Sequence, residues 1–304
     1  MNTLWYRWLV RVAGWCGAWM FVLVARVIAA VFFLCSPCRV AEGRRFYQAL
    51  LPQRGRLFYC RCVFRQFQNF TTIHLDRFLA SQGQEIVWTS DGWQHLQAVI
   101  GTRGGILIMS HLGNWEMAAR ALKQQQADLP LLLYMGVKEK EGVERMQKED
   151  LRRSGVTVIG VDQQGGSPLA AVESLRFLRE GGLVSLTGDI VWRDDQRRVR
   201  VRFLDHDVWL PEAPYLFALL SGAPLFAFFI FRTGRGRYHF SLSEPIVIPP
   251  HERRERAAVI AAAAQQYASL LERTLRAHPC EWYHFDRFLH GSVRAPETTA
   301  DISF

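Results

Sequence analysis

One histidine and one glutamate, five residues apart, are the residues best placed to do chemistry. His111 follows an apolar run, and Glu116 lies near the start of a stretch of helix formers. Along one helix, five positions would turn the two side chains about 140° apart, so they can meet only if His111 precedes the helix. A carboxylate on one imidazole nitrogen fixes the tautomer, and the other nitrogen can then take a proton from a hydroxyl. The pair therefore predicts a general base and its orienting residue.

The elements that must position this pair are a buried strand and a helix that follows it at once. Two glycines open the unbroken apolar run 106–109, which is typical of a strand covered on both faces. Asn114 suits the N-cap of the following helix, and Gly113 lies where the chain must turn back. This junction places His111 at the carboxyl edge of a sheet.

The same spacing also has an ordinary interpretation. A histidine after a strand is often a capping or hydrogen-bonding residue, and histidine and glutamate recur at this separation by chance in many chains. The spacing alone therefore leaves both interpretations open, with catalysis by His111 and Glu116 as the hypothesis to test.

Further along the chain, strands alternate with helices. Three apolar runs are typical of buried strands, at 129–135, 155–160 and 183–187. Such alternation predicts an α/β fold in which a mostly parallel mixed sheet is flanked by helices. Because ligands bind beyond the carboxyl ends of parallel strands, Asp189 is expected at the same edge of the sheet as His111.

Length, composition and charge narrow the class of protein. The 304 residues are 49% apolar and carry a formal charge of +9, from 37 Lys and Arg against 28 Asp and Glu. This length predicts one large domain with a small appendage. The charge favours anionic partners such as membrane surfaces, phosphorylated lipids, acidic carrier proteins or nucleic acid. No nucleic-acid-binding motif accompanies the charge, so we expect no nucleic-acid partner.

The N-terminal region predicts association with a membrane. Residues 18–35 are apolar apart from Arg26. A run of about 18 residues just suffices to span a bilayer core, but a central arginine favours a tilted or interfacial helix, and both forms stay open. Arg26 also disfavours a cleaved signal peptide. Arginines are denser after the run than before it, which predicts a cytoplasmic body. We expect a membrane helix in residues 1–39 and a catalytic domain in residues 40–304.

Cysteine spacing leaves one alternative chemistry to consider. Cys35 and Cys38 form a Cys-x-x-Cys pair that could hold zinc together with Cys60 and Cys62. Cys-x-Cys is an uncommon half-site, and the first pair adjoins the apolar helix, so reduced, unpaired cysteines are expected. The sequence also lacks a phosphate loop, a dinucleotide fingerprint and a Gly-x-Ser-x-Gly elbow, and we expect neither a metal nor a cofactor.

Three stretches of the sequence resemble one family. Ser110-His-Leu-Gly-Asn-Trp-Glu116 is similar to the signature of the bacterial lipid A biosynthesis (late) acyltransferases, within the glycerolipid acyltransferase superfamily, whose hallmark is His-x4-Asp/Glu. The strand that ends in Asp189 and residues 279–288 also resemble family segments, so the similarity runs from about residue 40 to about residue 290. The sequence departs from the family at Ile190, where a polar residue is usual, and at Asp205, where glycine is usual.

The resemblance implies an enzyme that transfers a fatty acyl chain to a hydroxyl group of a lipid. The donor would be a thioester, either acyl carrier protein or acyl-CoA. His111 would be the general base, oriented by Glu116, and no acyl-enzyme would form. We assign Asn114, Arg145 and Asp189 to substrate binding.

Two features of this implied reaction stay open. The family's arginine that is proposed to stabilise charge near the thioester has three candidates by position, of which we choose the first: Arg145, Arg152 and Arg153. The acceptor would be a glycolipid like lipid A, on the cytoplasmic side of the bacterial inner membrane. The alternatives are another lipid acceptor, or a lipid-binding membrane protein without catalytic activity.

Overall fold

The computed structural model describes residues 18–81, 86–136, 156–161, 168–191 and 195–289. Within these residues the helices are α1 (Ala18–Cys35), α2 (Pro37–Leu50), α3 (Arg56–Ser81), α4 (Trp93–Gln97), α5 (Trp115–Gln125), α6 (Pro168–Arg179), α7 (Ala213–Ser221) and α8 (Arg256–Ala277). The strands are β1 (Val87–Asp91), β2 (Gly105–Met109), β3 (Leu131–Gly136), β4 (Thr157–Val161), β5 (Leu183–Thr187), β6 (Arg198–Phe203), β7 (His206–Pro211), β8 (Leu225–Gly234) and β9 (Arg237–Leu242).

Seven of the described strands form one sheet in the order β1-β9-β8-β2-β5-β3-β4. The strands from β8 to β4 in this order run parallel to one another, β9 is antiparallel to β8, and β1 is parallel to β9. Strands β6 and β7 form a separate antiparallel hairpin. The fold is therefore α/β with a mostly parallel mixed sheet, which confirms the sequence-based prediction.

Strand β2 lies inside the sheet and is covered on both faces, as its unbroken apolar run predicts. Ile106 and Ile108 pack into the core that includes helices α2, α3, α7 and α8. Leu107 points the other way, into the core that includes Met117 and Leu122 of α5. Alternate side chains of one strand thus bury apolar area on opposite faces, which fixes the strand and its carboxyl end in place.

The hairpin β6–β7 packs against α8 and shows a half-buried alternation. Along β6 exposed arginines alternate with buried apolar residues, so the strand has one basic face. The hairpin turns at Leu204 and Asp205, whose φ angles of 49° and 61° are those of a two-residue turn that favours glycine or aspartate. Asp205 therefore stands at a left-handed position, where the family's usual glycine would also fit.

The segment before β2 holds the main correction to the predicted elements. The apolar spacing of residues 40–101 fits two or three helices with breaks near residues 52–55 and 81–83, and the structure does end α2 at Leu50 and begin α3 at Arg56. Residues 87–91, however, form β1, which pairs with β9 at the edge of the sheet. Most β1 side chains are exposed, so the sequence lacks the apolar alternation that predicts a strand.

The first helix matches the predicted apolar run from end to end. It packs on α3 through aromatic contacts such as Phe33 with Phe64, while Leu23, Val27 and Leu34 are exposed. Within the described part of the chain, no helix taken singly has both the length and the apolar content to cross a bilayer. The segments Val22–Cys35 and Pro37–Leu50, bent by 91° at their junction, meet that requirement only as a pair.

Candidate active site

His111 and Asp189 meet at the carboxyl edge of the sheet. Strands β2 and β5 are paired so that Met109 lies opposite Thr187, and each candidate residue follows two positions later. His111 Nδ1 lies 3.0 Å from Asp189 Oδ1, and the backbone N–H of His111 donates to Oδ2 at 2.8 Å. The Asp189 side chain is fully buried, whereas 28% of the His111 side chain is exposed. The pair thus joins an interior carboxylate to an imidazole at the surface.

The carboxylate decides which imidazole nitrogen carries the proton. An ionised carboxylate only accepts hydrogen bonds, so a neutral His111 in this contact carries its proton on Nδ1. The lone pair of the neutral ring then lies on Nε2. This is the tautomer that a general base needs, and Asp189 Oδ1 is the atom that fixes it.

Asp189 stays ionised even though it is buried. Burial by itself would raise the pKa of its carboxyl group. The charge of His111, together with hydrogen bonds from the ring and the backbone of His111, lowers that pKa below its ordinary value. Asp189 is therefore a carboxylate at neutral pH and stabilises an imidazolium when His111 takes up a proton.

Residues 279–289, which we call the closing segment, lie along the loop that carries His111. The N–H of Tyr283 donates to the carbonyl of His111 at 2.7 Å, and the N–H of Gly113 donates to the carbonyl of Glu281 at 2.8 Å. Leu112 and Trp282 form an antiparallel bridge between these bonds. The indole Nε1 of Trp282 donates to Asp189 Oδ2 at 2.8 Å. The closing segment therefore contacts both members of the His111–Asp189 pair.

The turn between His111 and α5 depends on Gly113. Its φ angle is +71°, and a Cβ there would lie 1.7 Å from the carbonyl oxygen of Ile230. Only glycine combines this left-handed conformation with so close an approach to β8. The turn therefore folds back where the sequence predicts it.

Asn114 is the N-cap of α5, as predicted. Its side-chain oxygen accepts from the N–H of Met117 at 3.3 Å, and its Nδ2 donates to the hydroxyl of Tyr238 at 3.4 Å. The residue is buried, and both ends of its amide are engaged within the protein. These contacts give Asn114 a part in shaping the turn, and its assignment to substrate binding stays a prediction.

A second buried carboxylate lies behind this turn. Asp76 of α3 accepts from Arg232 Nε at 2.6 Å, from Arg232 Nη2 at 3.2 Å and from the hydroxyl of Tyr238 at 2.5 Å. Tyr238 in turn contacts Asn114. A chain of hydrogen bonds thus runs from α3 to the cap of α5.

Two predicted residues lie beyond what the structure describes. Glu116 is in the first turn of α5, but its side chain is outside the described side chains. Arg145 is outside the described residues altogether. The roles assigned to them from the sequence stay predictions. The carboxylate that the structure places on Nδ1 belongs to Asp189, which the sequence analysis assigned to substrate binding.

Sequence reasoning missed two participants. Trp282 lies in a stretch that resembles the family's closing segment, so a signal existed, but nothing in that stretch points to a carboxylate 93 positions earlier. Asp76 lies in a helix whose pattern shows only apolar spacing and basic residues. Among the described residues, no group of three or more His, Cys, Asp or Glu side chains is arranged to hold a metal ion.

Comparison with known protein families identifies the region around this site. A family model described as bacterial lipid A biosynthesis acyltransferase matches residues 71–290, which include His111, Asp189 and the closing segment up to its end. No curated protein matches the chain at a significant level.

Proposed function

The chain belongs to the bacterial lipid A biosynthesis acyltransferase family, and we propose that it moves a fatty acyl chain from a thioester donor to a hydroxyl group of a lipid acceptor. The observation that carries this proposal is the contact between His111 Nδ1 and the buried Asp189 carboxylate at the carboxyl edge of the sheet. A base held in this way suits proton removal from a hydroxyl, which is the step that such a transfer needs.

In the proposed reaction, His111 Nε2 takes the proton of the acceptor hydroxyl while that oxygen attacks the thioester carbonyl. The resulting tetrahedral intermediate collapses, the carbon–sulfur bond breaks, and the imidazolium returns its proton to the departing thiolate. The products are an ester and a free thiol, so atoms and charge balance without an acyl-enzyme. Asp189 stabilises the imidazolium between the two proton transfers, as a buried carboxylate on Nδ1 does in other acyl-transfer enzymes.

The oxyanion of the intermediate needs donors that are already in place. We propose Arg145, or backbone N–H groups near the turn at Leu112–Asn114, for this role. Glu116 would be a second carboxylate near the imidazole. The family resemblance of the motif supports Glu116, and the position of the turn directly after His111 supports its N–H groups. Arg145 is supported only by its place among the three arginines that could match the family's arginine.

The proposed donor is acyl carrier protein, with acyl-CoA as the alternative, and the proposed acceptor is a glycolipid like lipid A. The net charge of +9 favours an acidic carrier protein and an acidic lipid headgroup. The family match supports the acceptor class, because the family is described by lipid A biosynthesis. If the acceptor is a phospholipid, an aminolipid or a lipid-like secondary metabolite, the mass of the acylated product will identify it.

We also propose that the protein lies at the cytoplasmic face of the bacterial inner membrane. Helix α1 exposes Leu23, Val27 and Leu34, and Leu57 at the start of α3 is 86% exposed. Arg54 lies over the ring of Phe58 beside that position. Exposed apolar side chains next to arginines suit an interface with anionic headgroups.

Mass spectrometry of lipids extracted from cells that express the protein tests the proposal. Wild type, His111→Ala and the control His251→Ala would be expressed at equal levels. His251 suits a control because it is only partly buried and, among the described contacts, bonds only the nearby carbonyl of Pro249. We expect one lipid to gain an acyl chain with wild type and the control. We expect His111→Ala to lower that product by about 10² to 10⁴-fold, the range typical of a general base.

An assay with purified full-length protein distinguishes the two possible thioester donors. It also does not depend on whether the host contains the acceptor. Release of free thiol would be followed with acyl carrier protein and with acyl-CoA as alternative donors, in the presence of extracted lipid. Activity of His111→Ala within about tenfold of wild type would contradict the proposed role of His111. Membrane binding without any turnover, with both donors and the lipid A precursor pool supplied, would point instead to a lipid-binding protein.

A further inference from the structure

The indole of Trp282 is the one side chain in the closing segment whose described contacts include a hydrogen bond to the Asp189 carboxylate. Its Nε1 donates to Oδ2 at 2.8 Å, and the residue is 1% exposed. A buried indole N–H requires an acceptor, and here that acceptor is the carboxylate of the proposed orienting residue. The proton transfers of the proposed reaction do not pass through this contact.

The contact fixes the orientation of the carboxylate. Oδ2 receives the backbone N–H of His111 and the indole N–H of Trp282, both at 2.8 Å. With Oδ2 held by two donors, Oδ1 is left to face His111 Nδ1 at 3.0 Å. Loss of one donor on Oδ2 would let the carboxylate rotate, and the second oxygen would then compete for Nδ1.

The indole is itself held on all sides. Phe288 meets it edge-on at 4.9 Å between ring centroids, and Phe46 of α2 lies 4.9 Å away. Its backbone carbonyl accepts from Gln66 of α3, and its backbone pairs with Leu112 next to His111. These contacts hold the N–H toward Asp189, which is the preorganisation that a functional site needs.

We propose that Trp282 is a positioning residue for acyl transfer, and that its indole N–H holds the Asp189 carboxylate in the orientation that keeps His111 ready to act as a base. The expected effect on turnover rests on the proposed function. The contact itself can be tested without turnover.

An isosteric change at position 282 distinguishes the effect of losing the N–H from the effect of losing part of the ring. Trp282→Phe removes the donor and part of the volume. Benzothienylalanine, incorporated at position 282 in the full chain, replaces only the N–H by sulfur and keeps the shape of the side chain. The matched control is Phe288→Leu, which loosens the packing of the same ring but leaves the donor in place.

The measurement determines kcat and KM for the thioester separately. Hydrogen bonds to charged groups are among the stronger ones in proteins, so the benzothienyl variant is expected to lower kcat by about tenfold or more. KM for the thioester should be unchanged, because the indole N–H is bonded to Asp189 and Trp282 is only 1% exposed. Phe288→Leu is expected to change kcat by less than about threefold. A benzothienyl variant with kcat within about twofold of wild type would overturn the proposal.

A second measurement stands apart from turnover. The indole N–H signals of the 10 tryptophans would be recorded on ¹⁵N-tryptophan-labelled protein, and the signal of Trp282 identified by its loss in Trp282→Phe. Asp189→Asn should shift that signal, because the charged acceptor becomes neutral. An unshifted signal would contradict the contact. If wild type shows no product that depends on His111, the proposed function fails instead, and this signal still decides the contact.

Discussion

Two buried carboxylates lie near the same edge of the molecule, and they differ in the partner that each one holds. Asp189 accepts from the ring and the backbone of His111 and from Trp282, and Asp76 accepts twice from Arg232 and once from Tyr238. Both carboxyl side chains are fully buried, and within the described residues each has three donors. Burial and the number of hydrogen bonds therefore do not distinguish them.

The partners do distinguish them. A guanidinium stays protonated at any physiological pH, so Arg232 can form an ion pair but cannot exchange a proton with a substrate. An imidazole can act as both base and acid, so His111 can take a proton from a substrate and give it back. The same buried carboxylate thus serves structure in one place and, as we propose, chemistry in the other. The comparison implies that changes at Asp189 should reduce activity more than stability, and changes at Asp76 the reverse.

The largest effect should follow Asp189→Asn. The amide nearly preserves the shape, but its NH₂ group can donate to Nδ1 and favour the tautomer whose proton is on Nε2. We expect kcat to fall on the order of 10² to 10⁴-fold, because the base is then in the wrong tautomer. Single-turnover kinetics with the thioester donor would measure the loss.

Retained activity in this variant would contradict the proposed part of Asp189 in the chemistry. An Asp189→Asn protein that folds to the wild-type circular dichroism spectrum and retains more than about a tenth of the wild-type kcat would remove Asp189 from the chemistry. The carboxylate of Glu116 would then be the remaining candidate for orienting His111.

The next largest effect should be on stability, in Asp76→Asn. The change removes the carboxylate charge that pairs with the guanidinium of Arg232, which is only 26% exposed. Breaking a buried pair costs about 3–5 kcal/mol, and the partial exposure of Arg232 should bring the loss to about 2–3 kcal/mol. Urea denaturation monitored by tryptophan fluorescence would measure it.

Asp76→Asn also tests the other half of the comparison. The kcat of the folded fraction should stay within about threefold of wild type, because Asp76 does not touch the reacting atoms. A loss of kcat as large as that of Asp189→Asn would show that the two carboxylates belong to one functional unit.

Local features of the site could be predicted from the sequence alone. The strand β2, the turn at Gly113 and the cap at Asn114 are all local features, since apolar runs, glycines and N-caps act within a few residues, and all three were predicted. The α/β fold followed from the alternation of such local signals. The position of Asp189 at the same edge as His111 also followed, because parallel strands end together.

The pairing of side chains could not be predicted in the same way. Asp189 is 78 residues from His111, and Asp76 is 156 residues from Arg232, so no local pattern joins them. The nearest carboxylate in sequence, Glu116, is assigned as the orienting residue from its spacing and from the resemblance to the family's His-x4-Asp/Glu hallmark, and that assignment stays a prediction. Which side chain meets Nδ1 depends on the register of β2 against β5, and that register is set by packing in three dimensions.

A smaller effect should appear in the pH dependence of stability. The pKa of Asp189 in the folded protein is below its ordinary value of 3.8, so the ionised group stabilises the fold above about pH 4. That stabilisation should be lost as the pH falls from about 4 through the lowered pKa. The difference in unfolding free energy between wild type and Asp189→Asn should therefore shrink as the pH falls below about 4. A difference that grows with acidity would contradict the depressed pKa.

The smallest effect should come from Tyr238→Phe, which removes one hydroxyl from the structural carboxylate. Asp76 keeps both bonds from Arg232, but Asn114 Nδ2 loses its partner at the cap of α5. We expect a loss of about 1 kcal/mol in unfolding free energy. The matched control is Tyr215→Phe, because the buried hydroxyl of Tyr215 has no hydrogen-bond partner among the described residues. Its removal should leave stability unchanged or slightly raised. Equal losses in the two variants would mean that the hydrogen bonds of the Tyr238 hydroxyl to Asp76 and Asn114 add nothing to stability.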